Sequence, residues 1–298
     1  MNIVKHLSVN GEDLINFDFS RELFMESYLI ENPNVLALDA DDFSSVEILD
    51  WEFSIEGGRT DKNTDGRIDI LANYGEDYTA IIELKKGILN DMALTQLKSY
   101  LGKKEKLINA DASWKDKIKD KWIGVLVGKD IEPELVKKIK SGEASKDNNN
   151  EGKDIIPIYA LTLQRFKDRN ENMYVSSNAY RYDTKHTQYS YKNTTYGKGR
   201  LVLAVIKDYV SSHPDVTCEK LHEVFPDKLQ GSSIFTTKDE AEKVFNDTHH
   251  KRNFIGKDEI IQLKDKIIAV SNQWGDKNIP NFLKRCEELK INVITVVK

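Results

Sequence analysis

The sequence predicts a mixed α/β fold in which helices flank a sheet, followed by a smaller α+β unit. Two short runs rich in β-branched and aromatic residues, 68–74 and 78–84, predict neighbouring strands. Segments with helical spacing stand before and after them, at 20–30 and 91–101. From Leu201 the pattern changes to amphipathic helices, a hairpin, a helix and a last strand, an order analogous to that of winged-helix domains.

The turn between the two predicted strands determines which residues face each other. Residues 75–77, Gly-Glu-Asp, have the composition of a short hairpin loop. If Tyr74 faces Tyr78, the pairing continues along both strands and sets Asp69 opposite Glu83. Directly opposed residues of antiparallel strands have Cβ atoms only ~5 Å apart, where like charges repel unless something compensates them.

A lysine completes this pair of carboxylates. Side chains alternate between the faces of a strand, so Lys85 points the same way as Glu83. Carboxylate oxygens are the ligands that Mg²⁺ selects, and Mg²⁺ commonly takes only one or two of them. The pattern predicts a site where a bound water lies beside a cation and an ammonium group; the alternative is a structural ion cluster on an exposed sheet face.

The helix after the second strand supports the first interpretation. Asn90 or Asp91 is the predicted N-cap, and leucines form the apolar stripe. Gln96 and Tyr100 are four residues apart and therefore share one face of the helix. We expect both polar groups to face the edge of the sheet.

The segments GRIDIL, IIELKKG and ALTQLKSYL together resemble the PD-(D/E)XK nuclease superfamily, and within it the NucS-type endonuclease domain. The upstream segment MESYLIENPNVL is similar to the helix that precedes the sheet in that group. The resemblance covers about residues 20 to 105, and Ile68-Asp69 stands where the superfamily's name-giving Pro-Asp pair would be. It implies a restriction-endonuclease-like mixed sheet flanked by helices.

The resemblance also implies an activity and a set of site residues. Such nucleases cut phosphodiester bonds with Mg²⁺ or Mn²⁺. Asp69 and Glu83 would be the metal ligands, and Lys85 would orient or activate water and stabilise developing charge. Gln96 and Tyr100 would be accessory residues of the site.

A further acidic member is expected from the upstream helix. Glu26 matches that position, and Glu22, one turn earlier, is the competing choice. The helix is predicted to begin after Ser20 as N-cap, with Leu23, Phe24, Tyr28 and Leu29 facing inward. Glutamates on a helix are more often only solvated, which is the alternative interpretation here.

Composition limits the class of protein. The 298 residues exceed one typical domain, and 31% of them are charged. No apolar run reaches the ~20 residues of a membrane helix, and the N-terminus has no apolar signal core, so we expect a cytoplasmic protein without a membrane partner. Cys218 and Cys286 are too few for a disulfide framework or a cysteine zinc site. No glycine-rich phosphate loop occurs, so no nucleotide cofactor is expected.

The net charge of −5 hides an uneven distribution. Residues 1–66 hold fifteen acids and four bases, whereas residues 98–140 hold twelve lysines and seven acids. Phosphate binding needs only a local basic face, although a solvated helix face has the same pattern. Arg59 and Lys62, in the polar loop at 57–65, would either contact a phosphate or only solubilise the loop.

We predict a nuclease domain at 1–175, a linker rich in tyrosine and lysine at 176–198, and a recognition or regulatory domain at 199–298. Six tyrosines interleave with lysines and arginines at 174–200, a composition that suits a linker and could also stack on bases.

The predicted function is a Mg²⁺-dependent endodeoxyribonuclease, of restriction or defence type, that binds DNA as a homodimer. The alternatives are a DNA-repair nuclease, a nuclease acting on RNA, and an inactive module with the nuclease fold that binds DNA or protein.

Overall fold

The order of helices and strands follows the sequence pattern closely. The computed structural model describes residues 8–9, 11–39, 41–54, 67–105, 114, 116–146, 155–182 and 187–296. Within these ranges the helices are α1 (Glu22–Glu31), α2 (Asp91–Leu101), α3 (Pro133–Lys140), α4 (Lys198–Ser212), α5 (Cys218–Val224), α6 (Lys238–Thr248) and α7 (Ile279–Glu288). The strands are β1 (Ser8–Val9), β2 (Glu12–Asp13), β3 (Ile15–Asn16), β4 (Val46–Ser54), β5 (Arg67–Tyr74), β6 (Tyr78–Leu89), β7 (Lys121–Ile131), β8 (Ile158–Lys167), β9 (Met173–Tyr180), β10 (Gln188–Tyr191), β11 (Thr194–Tyr196), β12 (Phe235–Thr237), β13 (Ile261–Gln262), β14 (Ile267–Val270) and β15 (Ile294–Val296).

A mixed sheet of seven strands organises the N-terminal half of the described chain. Its order is β3-β8-β7-β6-β5-β4, and β9 pairs with β8. The pairs β6–β7 and β7–β8 are parallel, whereas β4, β5 and β6 form an antiparallel meander. Parallel strands need crossover connections, and α2 and α3 stand in those connections. The predicted mixed α/β class is confirmed.

Apolar clusters cover both faces of this sheet. One cluster contains Met25 and Leu29 of α1 together with Ile70 and Ile82. The other contains leucines of α2 and α3 together with Leu71 and Ile81. From Ile70 onward, alternating residues of β5 therefore enter different clusters, whereas Ile68 joins the cluster of Leu71 and Ile81; the sheet lies between helices.

The register of the central hairpin is as predicted. Tyr74 pairs with Tyr78, and Leu71 with Ile81, up to the pair Ile70–Ile82. Gly75 closes the turn with a φ of 55°, in the left-handed region that glycine adopts without steric cost. Composition alone thus placed both strands and their turn.

Helix α1 differs from the prediction in the face it buries. Leu23 and Phe24 are each 52% exposed, whereas Met25, Glu26 and Leu29 are buried. The predicted inward orientation is confirmed for Leu29 and wrong for Leu23 and Phe24, because apolar residues occur on several sides of this helix and the sequence does not select one. The predicted N-cap is also wrong, since Arg21 occupies that position without a side-chain cap.

A separate apolar cluster forms between residues 189 and 286 and includes buried residues of α4 and α7. Its small sheets have the orders β12-β14-β13 and β11-β10-β15. Helix α6 begins with a capping box, in which Thr237 is the N-cap and Glu240 the third helical residue. Together with α4–α7, these sheets form the smaller α+β unit.

The stretch predicted as a linker contributes strands to two different sheets. Residues up to Tyr180 belong to β9 of the large sheet, and β10 and β11 belong to a small sheet. The boundaries at 175 and 199 stay a prediction. None of the helices that the structure describes is long and apolar enough to cross a membrane.

Polar contacts join the C-terminal part to the turn of the central hairpin. Asp77 accepts hydrogen bonds from the backbone N–H of Asp276 (2.8 Å) and from Lys198 Nζ (3.0 Å). Nearby, His250 Nε2 lies 3.0 Å from the buried hydroxyl of Ser45. Burial lowers the pKa of His250 to about 4, so it is neutral in this contact at pH 7.

Close packing of α2 against β7 depends on a glycine. A Cβ atom at Gly124 would lie 2.9 Å from Leu101 Cδ1 and 3.0 Å from Leu97 Cδ2, both on α2. Adding a methyl group in a packed core forces neighbours to shift. This glycine therefore determines how closely α2 approaches the sheet.

We expect Gly124→Ala to lower the free energy of unfolding by about 1–3 kcal/mol, because α2 must move away from β7. Urea titration measures this change. The control is Gly87→Ala, at an exposed position of β6 where an added Cβ meets nothing within 4 Å. Equal stability of the two variants would contradict the role given to Gly124.

Candidate functional site

Asp69 and Glu83 lie side by side on adjacent strands. Each is one residue beyond the pair Ile70–Ile82, so the register sets them opposite each other. The Oδ2 atom of Asp69 accepts a hydrogen bond of 2.7 Å from the backbone N–H of Leu84. This bond fixes the Asp69 carboxylate at the strand bearing Glu83.

The Glu83 carboxylate is buried and only half satisfied. The residue is 1% exposed, and Lys85 Nζ lies 2.5 Å from its Oε1 atom. Its Oε2 atom is buried and accepts no hydrogen bond within the described structure. A buried carboxylate oxygen without a donor is costly, so this atom is a position at which a cation could bind.

The upstream helix contributes a buried acid, and it is Glu26. Glu26 is 6% exposed, and the carboxylates of Asp69 and Glu22 both act to raise its pKa. Glu22 is used differently, because its Oε2 accepts a 3.0 Å hydrogen bond from the backbone N–H of Lys86. Both glutamates therefore belong to the cluster: Glu22 anchors α1 to β6, and Glu26 lies within electrostatic range of Asp69.

Burial and neighbouring carboxylates raise the pKa values of Asp69, Glu26 and Glu83. Burial raises the pKa of Asp69 to about 6, while the Leu84 hydrogen bond and Lys85 oppose the shift. Burial and then Asp69 raise the pKa values of Glu26 and Glu83 to about 7. Burial acts to lower the pKa of Lys85, but its hydrogen bond to Glu83 and the nearby acids outweigh this, and the pKa is raised.

Such shifts are typical of sites where function requires charges to be held together. Here the acids outnumber the ammonium groups, so a divalent cation would relieve their repulsion.

Helix α2 brings two more predicted residues to this face of the sheet. Asn90 is its N-cap, accepting from the N–H groups of Met92 and Ala93. Gln96 Nε2 donates a 2.9 Å hydrogen bond to the Tyr100 hydroxyl. The charges of Glu83 and Asp69 act on the pKa of Tyr100, which burial raises, so this hydroxyl lies within electrostatic range of the acids.

A groove of about 700 Å³ runs along α2, and Asp69, Glu83 and Lys85 are not among the described residues that line it. Gln96, Tyr100, Thr95 and Lys103 are among the described residues that line it.

One charged residue near the acids was missed by the sequence prediction. Arg67, at the start of β5, acts to lower the pKa values of both Glu26 and Asp69. A signal for it existed, since Arg67 is two residues before Asp69 and therefore on the same face of the strand. By contrast, Arg59 and Lys62 lie outside the described residues.

The two carboxylates fit a hard divalent ion that takes only one or two ligands from the protein. In the part of the chain that the structure describes, no three His, Cys, Asp or Glu side chains are grouped as a metal centre. Mg²⁺ commonly keeps several waters and takes one or two carboxylates. Asp69 with the unpaired Oε2 of Glu83 matches that requirement, so these two residues would hold the ion.

Comparison with known proteins gives one partial similarity. No protein-family profile matches this chain, and no curated protein does. One solved structure, an "EndoMS-dsDNA2 complex", is 22% identical over 46% of this chain, with a TM-score of 0.26. The similarity spans 45% of that chain, less than half of its length. With so small an overlap, functional inference rests on the site itself.

The raised pKa of Glu26 predicts a pH-dependent stability of the metal-free protein. Because the folded-state pKa (about 7) exceeds the ordinary value of 4.5, its stabilising contribution is complete below pH 4.5 and is lost as pH rises through 7. Glu26→Gln should therefore be more stable than the wild type at pH 8, by about 1–3 kcal/mol, with little difference at pH 4.5. Urea titration in EDTA at both pH values measures this.

Glu31→Gln, an exposed position on the same helix, is the matched control and should change little at either pH. A Glu26→Gln effect that is the same at both pH values would contradict the assignment.

Proposed function

We propose that this protein is a divalent-metal-dependent endodeoxyribonuclease of the PD-(D/E)XK type. The observation that carries the proposal is the buried Glu83 carboxylate, whose Oε2 has no described donor while Asp69 and Lys85 lie beside it. A purely structural ion cluster explains this arrangement poorly. Burying several carboxylates with one amine costs free energy that well-packed apolar residues would not.

Each residue has a chemical role in hydrolysis of a phosphodiester. Asp69 and Glu83 would hold Mg²⁺ or Mn²⁺, which when bound supplies Lewis-acid polarisation of a phosphoryl oxygen. Lys85, with a pKa raised by its neighbours, stays an ammonium and stabilises negative charge that develops at the phosphorus centre or on the attacking oxygen. Lys85 therefore contributes most in the transition state.

The remaining residues orient the groups that react. Glu26, with a pKa of about 7, can accept or donate a proton near neutral pH. The Gln96 amide is held by Tyr100 and presents its remaining polar atoms at the groove, where a phosphate or water can be positioned. Hydrolysis needs water in line with the leaving oxygen, and these groups restrict where water can lie.

Cleavage of plasmid DNA with and without Mg²⁺ tests the proposal. Asp69→Asn, Glu83→Gln and Lys85→Met should each lower the rate by ~100-fold or more, because each removes a charge that acts on the reacting phosphate. Asn at position 69 can still accept from the Leu84 N–H, so the hairpin should remain folded. Glu134→Gln, on the exposed start of α3, is the control and should cut like the wild type.

Binding of DNA without Mg²⁺- or Mn²⁺-dependent cutting under any condition would instead support the inactive nuclease-fold module. Cleavage rates of RNA and DNA in the same assay show which of the two nucleic acids is the substrate.

We further propose a homodimer acting in restriction-type defence, since cutting both strands of DNA requires two sites and the C-terminal part could recognise a sequence or a modified base. Light scattering should give twice the chain mass, and unmodified DNA should be cut faster than methylated DNA. A monomer that only nicks DNA, or one that prefers damaged DNA, would favour a repair nuclease.

A further inference from the structure

We propose that Arg67 binds a backbone phosphate of the nucleic acid. This contact holds the nucleic-acid strand at the mouth of the acidic cluster, meaning its solvent-exposed side. The inference rests on the proposed substrate class and gives a role to Arg67, a residue to which the family resemblance assigned none.

The position of Arg67 on β5 directs it to this mouth. Residues i and i+2 of a strand share a face and lie roughly 7 Å apart, so Arg67 is the outward neighbour of Asp69 on that face. Its side chain is 53% exposed, whereas Glu26 and Glu83 are buried. A phosphate approaching the acids from solvent would therefore meet Arg67 first.

Arg67 compensates the charge that such a phosphate would face. Glu22, Glu26, Asp69 and Glu83 make the cluster acidic, and Lys85 is already engaged by Glu83 at 2.5 Å. The effect of Arg67 on the pKa values of Glu26 and Asp69 shows that its charge reaches the cluster. An additional cation at the entrance lowers the repulsion between the polyanion and the site.

The partner that now holds Arg67 is one that a phosphate can replace. Arg67 forms an ion pair with Glu52 of β4, whose side chain is 37% exposed. Exposed ion pairs contribute little to stability, while a phosphodiester accepts two parallel hydrogen bonds from a guanidinium. Exchange of the carboxylate for a phosphate therefore has a low cost.

The backbone at Glu52 is unusual, which fits a functional contact. Its φ is 54°, a left-handed value that non-glycine residues rarely adopt. Glu52 lies between Trp51, which pairs with Ile70, and Phe53, which pairs with Ile68, and so stands opposite Asp69. Strained positions of this kind cluster at functional sites. Glu52 holds Arg67 next to Asp69 until a phosphate binds.

The salt dependence of DNA binding tests the contact directly. The probe is a fluorescein-labelled DNA duplex in EDTA, where no metal-dependent cutting occurs, and anisotropy gives Kd at several salt concentrations. Arg67→Gln should weaken binding ~5–20-fold and reduce the slope of log K against log salt by about 1, the loss of one phosphate contact. Arg67→Lys should keep the slope, because it keeps the charge, but bind less tightly.

Two further variants separate this contact from a merely structural ion pair. Glu52→Gln releases Arg67 and should tighten binding ~2–5-fold without lowering the slope. Arg169→Gln, which breaks an exposed ion pair with Asp13 elsewhere, should leave Kd and slope unchanged. Circular dichroism confirms that each variant is folded.

The outcomes distinguish this inference from the proposed function. A slope for Arg67→Gln equal to that of the wild type overturns the Arg67 contact even if DNA is cut. A reduced slope without any cutting leaves the contact intact and overturns the nuclease activity. A wild-type protein that binds no DNA overturns both.

Discussion

The burial of Glu83 beside Asp69 is the constraint on which the rest of the site depends. The backbone hydrogen bonds of β5 and β6 force the two carboxylates together, and α2 covers the face from which they project. Lys85 compensates one oxygen only. The raised pKa values of Glu26, Asp69 and Glu83 all follow from burial first and then from repulsion by neighbouring carboxylates. A cation would therefore bind in competition with protons, and metal affinity should be coupled to pH.

The hairpin that carries the acids is held at both ends. At the open end, Glu22 anchors α1 to β6 through the Lys86 N–H. At the turn, Lys198 is 5% exposed and pairs with Asp77 at 3.0 Å and with Asp276 at 3.2 Å. Burial acts to lower the pKa of Lys198, but Asp42, Asp77 and Asp276 outweigh it and the pKa is raised. The C-terminal part thus contacts the same hairpin that forms the site, about 20 Å along the strand from Glu83.

Residue pattern alone predicted what local chemistry controls. Alternation of β-branched residues and the Gly75 turn determine the register, and the register determines that Asp69 faces Glu83. Asn90 as N-cap placed α2, with Gln96 and Tyr100 on one face. For helix α1 the prediction was right for Leu29 and wrong for Leu23 and Phe24, because Leu23 and Phe24 are as apolar as the residues that are in fact buried.

By itself, therefore, the sequence determined the hairpin, its turn and the pairing of two acids, since each depends on hydrogen bonding and alternation among neighbouring residues. Tertiary structure alone decided that Glu26 is buried, that Oε2 of Glu83 lacks a donor and that Arg67 pairs with Glu52. These properties arise where strands and a helix distant in the chain pack together, and burial, which sets both pKa and hydrogen-bond satisfaction, exists only after that packing has formed.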